Sequence, residues 1–272
     1  MLDSFGVDYI EGGFAASNPK DMAFFQDIKK VDLKHAKIAA FGSTRRAGVD
    51  VEKDKGTLAL IEAVTEVCTI FGKSWLLHVE KVLKTTAEEN LAMIEDTCRF
   101  LKSHGKEVIY DAEHFFDGYK DSPEYALQTL AAAKAGGADV LVLCDTNGGC
   151  LSHEVYDITK LVAQKFNVSV GVHTHNDSET GVANAMEAVR AGAIQVQGTI
   201  NGFGERCGNC NLISVIANII KKTDQTCLAD PEQLKNLKLV SQFVNEQANL
   251  RDNQRAAYVG DSAFAHKAGM HV

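Results

Sequence analysis

The chain has 272 residues, 45 % of them hydrophobic, with three prolines and a net charge of −8: enough for one large domain with a full core and too apolar for a disordered segment. The acidic balance removes any electrostatic reason to bind nucleic acid or an anionic membrane surface, and no apolar run approaches the roughly 20 residues that span a bilayer. Seven cysteines, several within apolar stretches (Cys68, Cys98, Cys144), suit a reducing compartment better than a disulfide framework. MLDSFGVDYIEGG lacks the basic and apolar regions of a signal peptide, so a cytoplasmic protein is expected.

The opening LDSFG reads as the tail of a helix entering a strand, DYIEGGF (8–14). The helix-like PKDMAFFQDIKK follows, then the strand-like KIAAFGS (37–43) and EVCTIFG (66–72). TAEENLAMIEDTCRFLKSHG, PEYALQTLAAAKAGG, HEVYDITKLVAQKF and ETGVANAMEAVRAGA are helix-like, and they separate the runs EVIYDAE (107–113), DVLVLCDT (139–146), SVGVHTH (169–175) and IQVQGTI (194–200). Several helices end on glycine, as a helix C-terminus prefers. Strands alternating with helices imply βαβ units and a parallel sheet. Seven strands are one short of a (β/α)₈ TIM barrel, and the economical reading puts the first strand upstream of Met1. Residues 1–223 are expected to form the barrel, and 224–272 a helical linker containing one amphipathic helix over 231–250.

Barrel enzymes collect their catalytic groups at the C-terminal ends of the strands. Those ends carry Glu11; Ser43, Thr44, Arg45 and Arg46; Lys73; Asp111 and Glu113; Asp145, Thr146 and Asn147; and His173 with His175, while the last run leads into NGFGERCGNC (201–210). Residues two apart in a strand face one side, so Val170 and Val172 face the helices while Gly171, His173 and His175 face the interior. Two imidazoles on one face at the rim suit adjacent positions on one metal ion; the competing reading is a hydrogen-bonded core pair, and the location favours the metal. Asp111 and Glu113 read as a general-base pair or as a solvated strand end, with Glu113 the stronger candidate. Cys207 and Cys210 form a CxxC without a second pair or a thioredoxin-like unit. The glycines at 202, 204 and 208 do not make a dinucleotide fingerprint and read as a tight loop approaching a ligand.

HTHND followed by GTINGFGERCGN resembles the signature of the metal-dependent Claisen-condensing family, the isopropylmalate, homocitrate and citramalate synthases with their related lyases. VDYIEGGFAASNPKD, AKIAAFGSTRR, TIFGKSWLLHV, VIYDAEHFFDGYK and CDTNGG look like its pyruvate-using, citramalate-forming branch, and GDSAFAHKAGMHV is similar to the stretch after the barrel. The resemblance implies an acyltransferase of branched-chain amino-acid (isoleucine or leucine) biosynthesis, acting on acetyl-CoA and an α-keto acid with a divalent metal (Mg²⁺, Mn²⁺ or Zn²⁺), and a homodimer. His173, His175 and Asn209 match the metal ligands, and Thr146 matches the threonine that binds the keto-acid carboxylate. Glu11 matches the acidic position facing the metal site, and Glu113 the glutamate near the reacting acetyl group. Glu205 matches a glutamate of the glycine-rich loop, and His271 the histidine proposed to help deprotonate acetyl-CoA. The family's DTTLRDG-like first-strand motif, which supplies a metal-ligating Asp and a ketone-polarising Arg, has no counterpart in this sequence. Two other readings remain: a lyase, against which the lack of a GGCP-type loop argues, and an inactive fragment or binding subunit.

Overall fold

The computed structural model describes residues 1–265. It contains seven strands: β1 Tyr9–Phe14, β2 Lys37–Ser43, β3 Val67–Lys73, β4 Glu107–Glu113, β5 Val140–Asp145, β6 Ser169–Thr174 and β7 Gln195–Gln197. Each pairs in parallel with the next, in sequence order. The sheet curls, because Glu11 of β1 interacts with His173 of β6 although five steps of the strand order separate them. Among the described residues β1 and β7 each keep one unpaired edge. The expected seven strands are therefore present, in the order a barrel requires.

Helices at Pro19–Ile28, Lys55–Glu62, Ala87–Ser103, Pro123–Ala135, Ser152–Lys165 and Gly181–Ala191 connect the strands. Their starts are set locally: the side chains of Asn18, Asp54 and Thr86 accept from the amides of Asp21, Thr57 and Glu89, satisfying donors that a helix N-terminus leaves unpaired. Alternation divides the sheet into two apolar surfaces. Outward residues such as Ile70, Tyr110, Leu141, Val170 and Val172 pack under the helices against Leu60, Ile94, Leu130, Val162 and Ala188. Inward, Ala39, Val67, Ile109, Val140 and Val142 form a smaller apolar floor with Tyr9.

A third cluster joins the two ends of the described chain. Phe5, from the short helix Leu2–Phe5, packs with Ile213 and Ile216 of the helix Leu212–Lys222 and with Leu237 and Val240 of Leu237–Gln247. The segment expected as one helix over 231–250 is a 3₁₀ turn, Pro231–Asn236, followed by the α-helix Leu237–Gln247. Asp230 caps the Pro231 turn at Glu232, so the helix proper starts only after it.

β1 departs from simple alternation. Glu11 pairs with Ala39, but the next inward partner, Phe41, pairs with Phe14 rather than Gly13. The extra residue is a bulge made possible by Gly13 at φ 111°, a region that side-chain-bearing residues avoid. It turns Phe14 inward, where its ring meets Phe41 and Phe71 with centroids 5.8 and 6.4 Å away. Gly13→Val is expected to cost about 1–3 kcal/mol, read as a lower denaturant midpoint with an unchanged m-value.

Candidate active site

The rim is assembled where the loop after β7 folds back on β6. Cys210 N donates to Thr174 O (2.8 Å) and Asn176 N to Gly208 O (2.9 Å). These bonds set His175 opposite Asn209 as an antiparallel pair without mutual hydrogen bonds, the kind whose side chains stand closest. The same pairing explains why β7 stops at Gln197 instead of running to 200: the rim end of β6 is already taken by residues 208–210. Gly208, at φ 95°, lies so close to the Gly202 carbonyl that a Cβ would stand 2.0 Å from its oxygen, so glycine is required there. The Cys207–Cys210 pair holds two free thiols, the second buried.

His173 and His175 present their rings to each other, 5.2 Å apart and 18° from parallel. His173 Nδ1 meets Gln197 Oε1 at 2.8 Å, and Gln197 Nε2 donates to Asp111 Oδ1 at 2.8 Å. With the amide nitrogen committed to Asp111, its oxygen must accept from His173 Nδ1–H, which leaves His173 Nε2 with a free lone pair. Burial, helped by His173 and the Arg206 guanidinium, pushes the His175 imidazole down to about 4, so it is neutral at neutral pH. The buried Asn209 Oδ1 has no hydrogen-bond partner. Two imidazoles and an orphaned amide oxygen are the donor types a divalent ion accepts, so these residues fit the metal that the sequence implies; Arg206 Nη2 also stands 3.3 Å from His175 Nδ1. Among the described residues no group of three or more His, Cys, Asp or Glu side chains converges for a metal ion, so this set depends on the amide.

Two carboxyls stand on the same inner wall. Asp111 is buried, and desolvation pushes it up to about 7, opposed by the Gln197 hydrogen bond. Glu11 keeps solvent access on the edge strand, yet the surrounding walls and then Asp111 shift it upward, with His173 opposing. Glu113 forms an ion pair with Lys73, Nζ to Oε2 2.5 Å. Thr146 Oγ1 accepts from His114 N at 2.9 Å, which leaves its own hydroxyl proton free to donate.

Not every polar strand end joins this group. Arg45 is buried and turned away into ion pairs with Glu89 (2.7 Å) and Asp96 (2.8 Å), and Arg46 pairs with Asp54; both bind loops together. Asp145 accepts from the amides of Gly149 and Cys150, and Asn176 caps the following helix at Gly181. Glu205 is not brought to the site: its side chain is 85 % exposed, and it is the neighbouring Arg206 that turns to the rim. His271 lies outside the described residues. Gln197 and Arg206 were not singled out from sequence, although the alternating Gln195, Gln197 and Thr199 of the last run mark an inward polar face.

This is a curled, parallel α/β barrel sheet with a polar rim at the C-terminal ends of its strands. Residues 1–244 match the HMGL-like family, and the chain belongs to it. It is 57 % identical over 272 residues to an (R)-citramalate synthase of Aquifex aeolicus and 56 % identical over 271 residues to one of Geobacter sulfurreducens. Both alignments cover 100 % of this chain and 51 % of the relative, so the chain spans about half the length of the curated relatives it matches. An HMG-CoA lyase of Acinetobacter baumannii, solved with coenzyme A and 3-methylmalate, superposes with a TM-score of 0.76 over 98 % of this chain and 88 % of that one; at 18 % identity the likeness is one of fold.

Arg206 clasps Asp177 through two bonds (2.8 and 2.9 Å) and donates to Thr146 O at 2.7 Å, tying the loops after β5, β6 and β7 together. Arg206→Met is expected to raise amide hydrogen exchange across residues 201–209 by about tenfold, with the helices around the sheet unchanged.

Proposed function

We propose that this chain carries the catalytic barrel of a synthase that joins acetyl-CoA to a small α-keto acid, with pyruvate the preferred acceptor and citramalate the product. One observation carries the reading: His173 and His175 face each other at the mouth of the curled sheet, and Asn209, with its orphaned Oδ1, is paired opposite His175. The relatives at 56 and 57 % identity, named (R)-citramalate synthases, support the choice of acceptor. So does the interior, where Phe14, Phe41 and Phe71 fill space close to Asp111 and favour a short keto-acid side chain.

His173, His175 and Asn209 would hold a divalent ion, Mg²⁺, Mn²⁺ or Zn²⁺, which when bound supplies Lewis-acid polarisation of the keto acid's carbonyl. Thr146, whose oxygen already accepts the His114 amide, donates its hydroxyl proton to the keto acid's carboxylate and fixes its orientation. Glu113 removes a proton from the acetyl methyl group, a weak carbon acid that needs a close and aligned base. The resulting carbanion attacks the keto carbon, and hydrolysis of the thioester makes the step irreversible. His271 is the second candidate for the proton transfer. A cytoplasmic setting is supported by seven free cysteines. No helix among the described residues is long and apolar enough to cross a membrane.

Replacement of both His173 and His175 by Ala is expected to abolish divalent metal binding, read by elemental analysis and calorimetry; unchanged metal content refutes the ligand assignment. Glu113→Gln should lower kcat by about 10²–10⁴-fold while leaving pyruvate affinity nearly unchanged, with released CoA thiol as the assay. Faster turnover of 2-ketoisovalerate than of pyruvate would replace citramalate by isopropylmalate as the product.

A further inference from the structure

Lys73 and Glu113 end neighbouring strands in direct register, both on the inward face. Their ion pair, 2.5 Å long, is largely buried, with the side chains 15 % and 23 % exposed. The backbone on both sides is pinned: Asn90 Nδ2 donates to Lys73 O at 2.8 Å, and Ser74 N donates to Glu113 O at 3.3 Å. Lys73 Nζ also stands 5.8 Å from the centroid of the inward Phe71 ring. Titratable groups near the pair include His78 from the segment after β3, itself beside His114 and Asp117, Asp111 two residues before Glu113 on the same face of β4, and Cys144 from β5. None of these is a permanent cation. Arg45 is spent between a helix and a loop; Lys73 instead faces the mouth, against the one carboxylate assigned a reactive role.

We propose that Lys73 is a positioning residue for Glu113, the counter-ion that holds its carboxylate aimed into the mouth and then faces the charge that proton transfer moves onto the acetyl group. This rests on the condensation reading above. In the step concerned, a C–H bond of the acetyl methyl breaks and its proton passes to Glu113. The electron pair of that bond becomes the enolate, whose charge lies on the thioester oxygen. Glu113 turns neutral as the enolate turns negative, so the ammonium has one anion beside it before and after transfer. A fixed cation in a partly dewatered site serves both states without reorganisation.

The test uses the full-length enzyme supplied with divalent metal, acetyl-CoA and pyruvate. Lys73→Met is expected to lower kcat by about 10²-fold with the pyruvate KM within about threefold of wild type. Lys73→Arg, which keeps the charge, should recover most of the rate. Circular dichroism and thermal melting verify folding, and Lys73→Gln takes the place of the Met variant if that one does not fold. A neutral variant with wild-type kcat, or an Arg variant as slow as the neutral one, overturns the role while leaving the condensation reading intact. A wild-type enzyme that condenses no α-keto acid overturns the functional reading, and this role with it.

Discussion

Side chains of a strand alternate between its two faces, and in a parallel sheet neighbouring strands keep their registers, so every inward residue belongs to a layer. Here the layers change character along the strand direction. Tyr9, Ala39, Val67, Ile109 and Val140 close the floor with apolar groups. Asp111 lies above them, level with Phe71 and Val142, and above that come Lys73, Glu113, Cys144, His173 and Gln197. The apolar floor keeps water from the underside of the polar layer, which is why the Asp111 carboxyl is displaced so far upward. One local rule, repeated over seven strands, thus yields both a packed core and a set of polar groups in an environment that changes their chemistry.

Within that set, Gln197 has a task that neither a carboxylate nor an apolar residue performs. Its amide offers a donor to Asp111 and an acceptor to His173 at the same time. A glutamate at 197 would face Asp111 with a second carboxylate and oblige one of the two to be protonated. A leucine would leave Asp111 and His173 Nδ1 unpaired in a buried wall, at a cost of about 1–3 kcal/mol for each such group. The glutamine therefore passes an orientation from a buried carboxyl to an imidazole, and the outcome at the mouth is a lone pair on Nε2.

The strands and the inward direction of His173, His175, Asp111 and Glu113 were legible in the sequence because period-two alternation and strand spacing are local properties. The bulge in β1 was less so: GG suggests a break, but only the pairing of Phe14 with Phe41 shows which side the chain resumes on. Arg45 misleads for a related reason. Its place at a strand end suggested the rim, whereas the acidic groups that capture it, Glu89 and Asp96, lie on a helix more than 40 residues later. Glu205 and Arg206 are adjacent in a loop without periodicity, so nothing local says which of them faces the site. Gln197 could have been found by extending to β7 the alternation argument used for β6.

The loop that carries Asn209 shows how far from the mouth the site's geometry is decided. Its backbone is laddered to the end of β6, and Arg206 holds it to Asp177 and Thr146. At its start, Asn201 donates to Ser241 O and to Asn245 Oδ1 and accepts from Ser241 Oγ, three bonds to the helix Leu237–Gln247. That helix is seated in turn on the apolar cluster that includes Phe5 and Ile216. A side-chain amide oxygen is a weak, neutral donor whose usefulness depends on being held in place without a competing partner. The helical segment after the sheet supplies part of that restraint. Asn209 is thus positioned by contacts that begin near Met1 and end beyond residue 240, although every group it would work with lies on the strand ends.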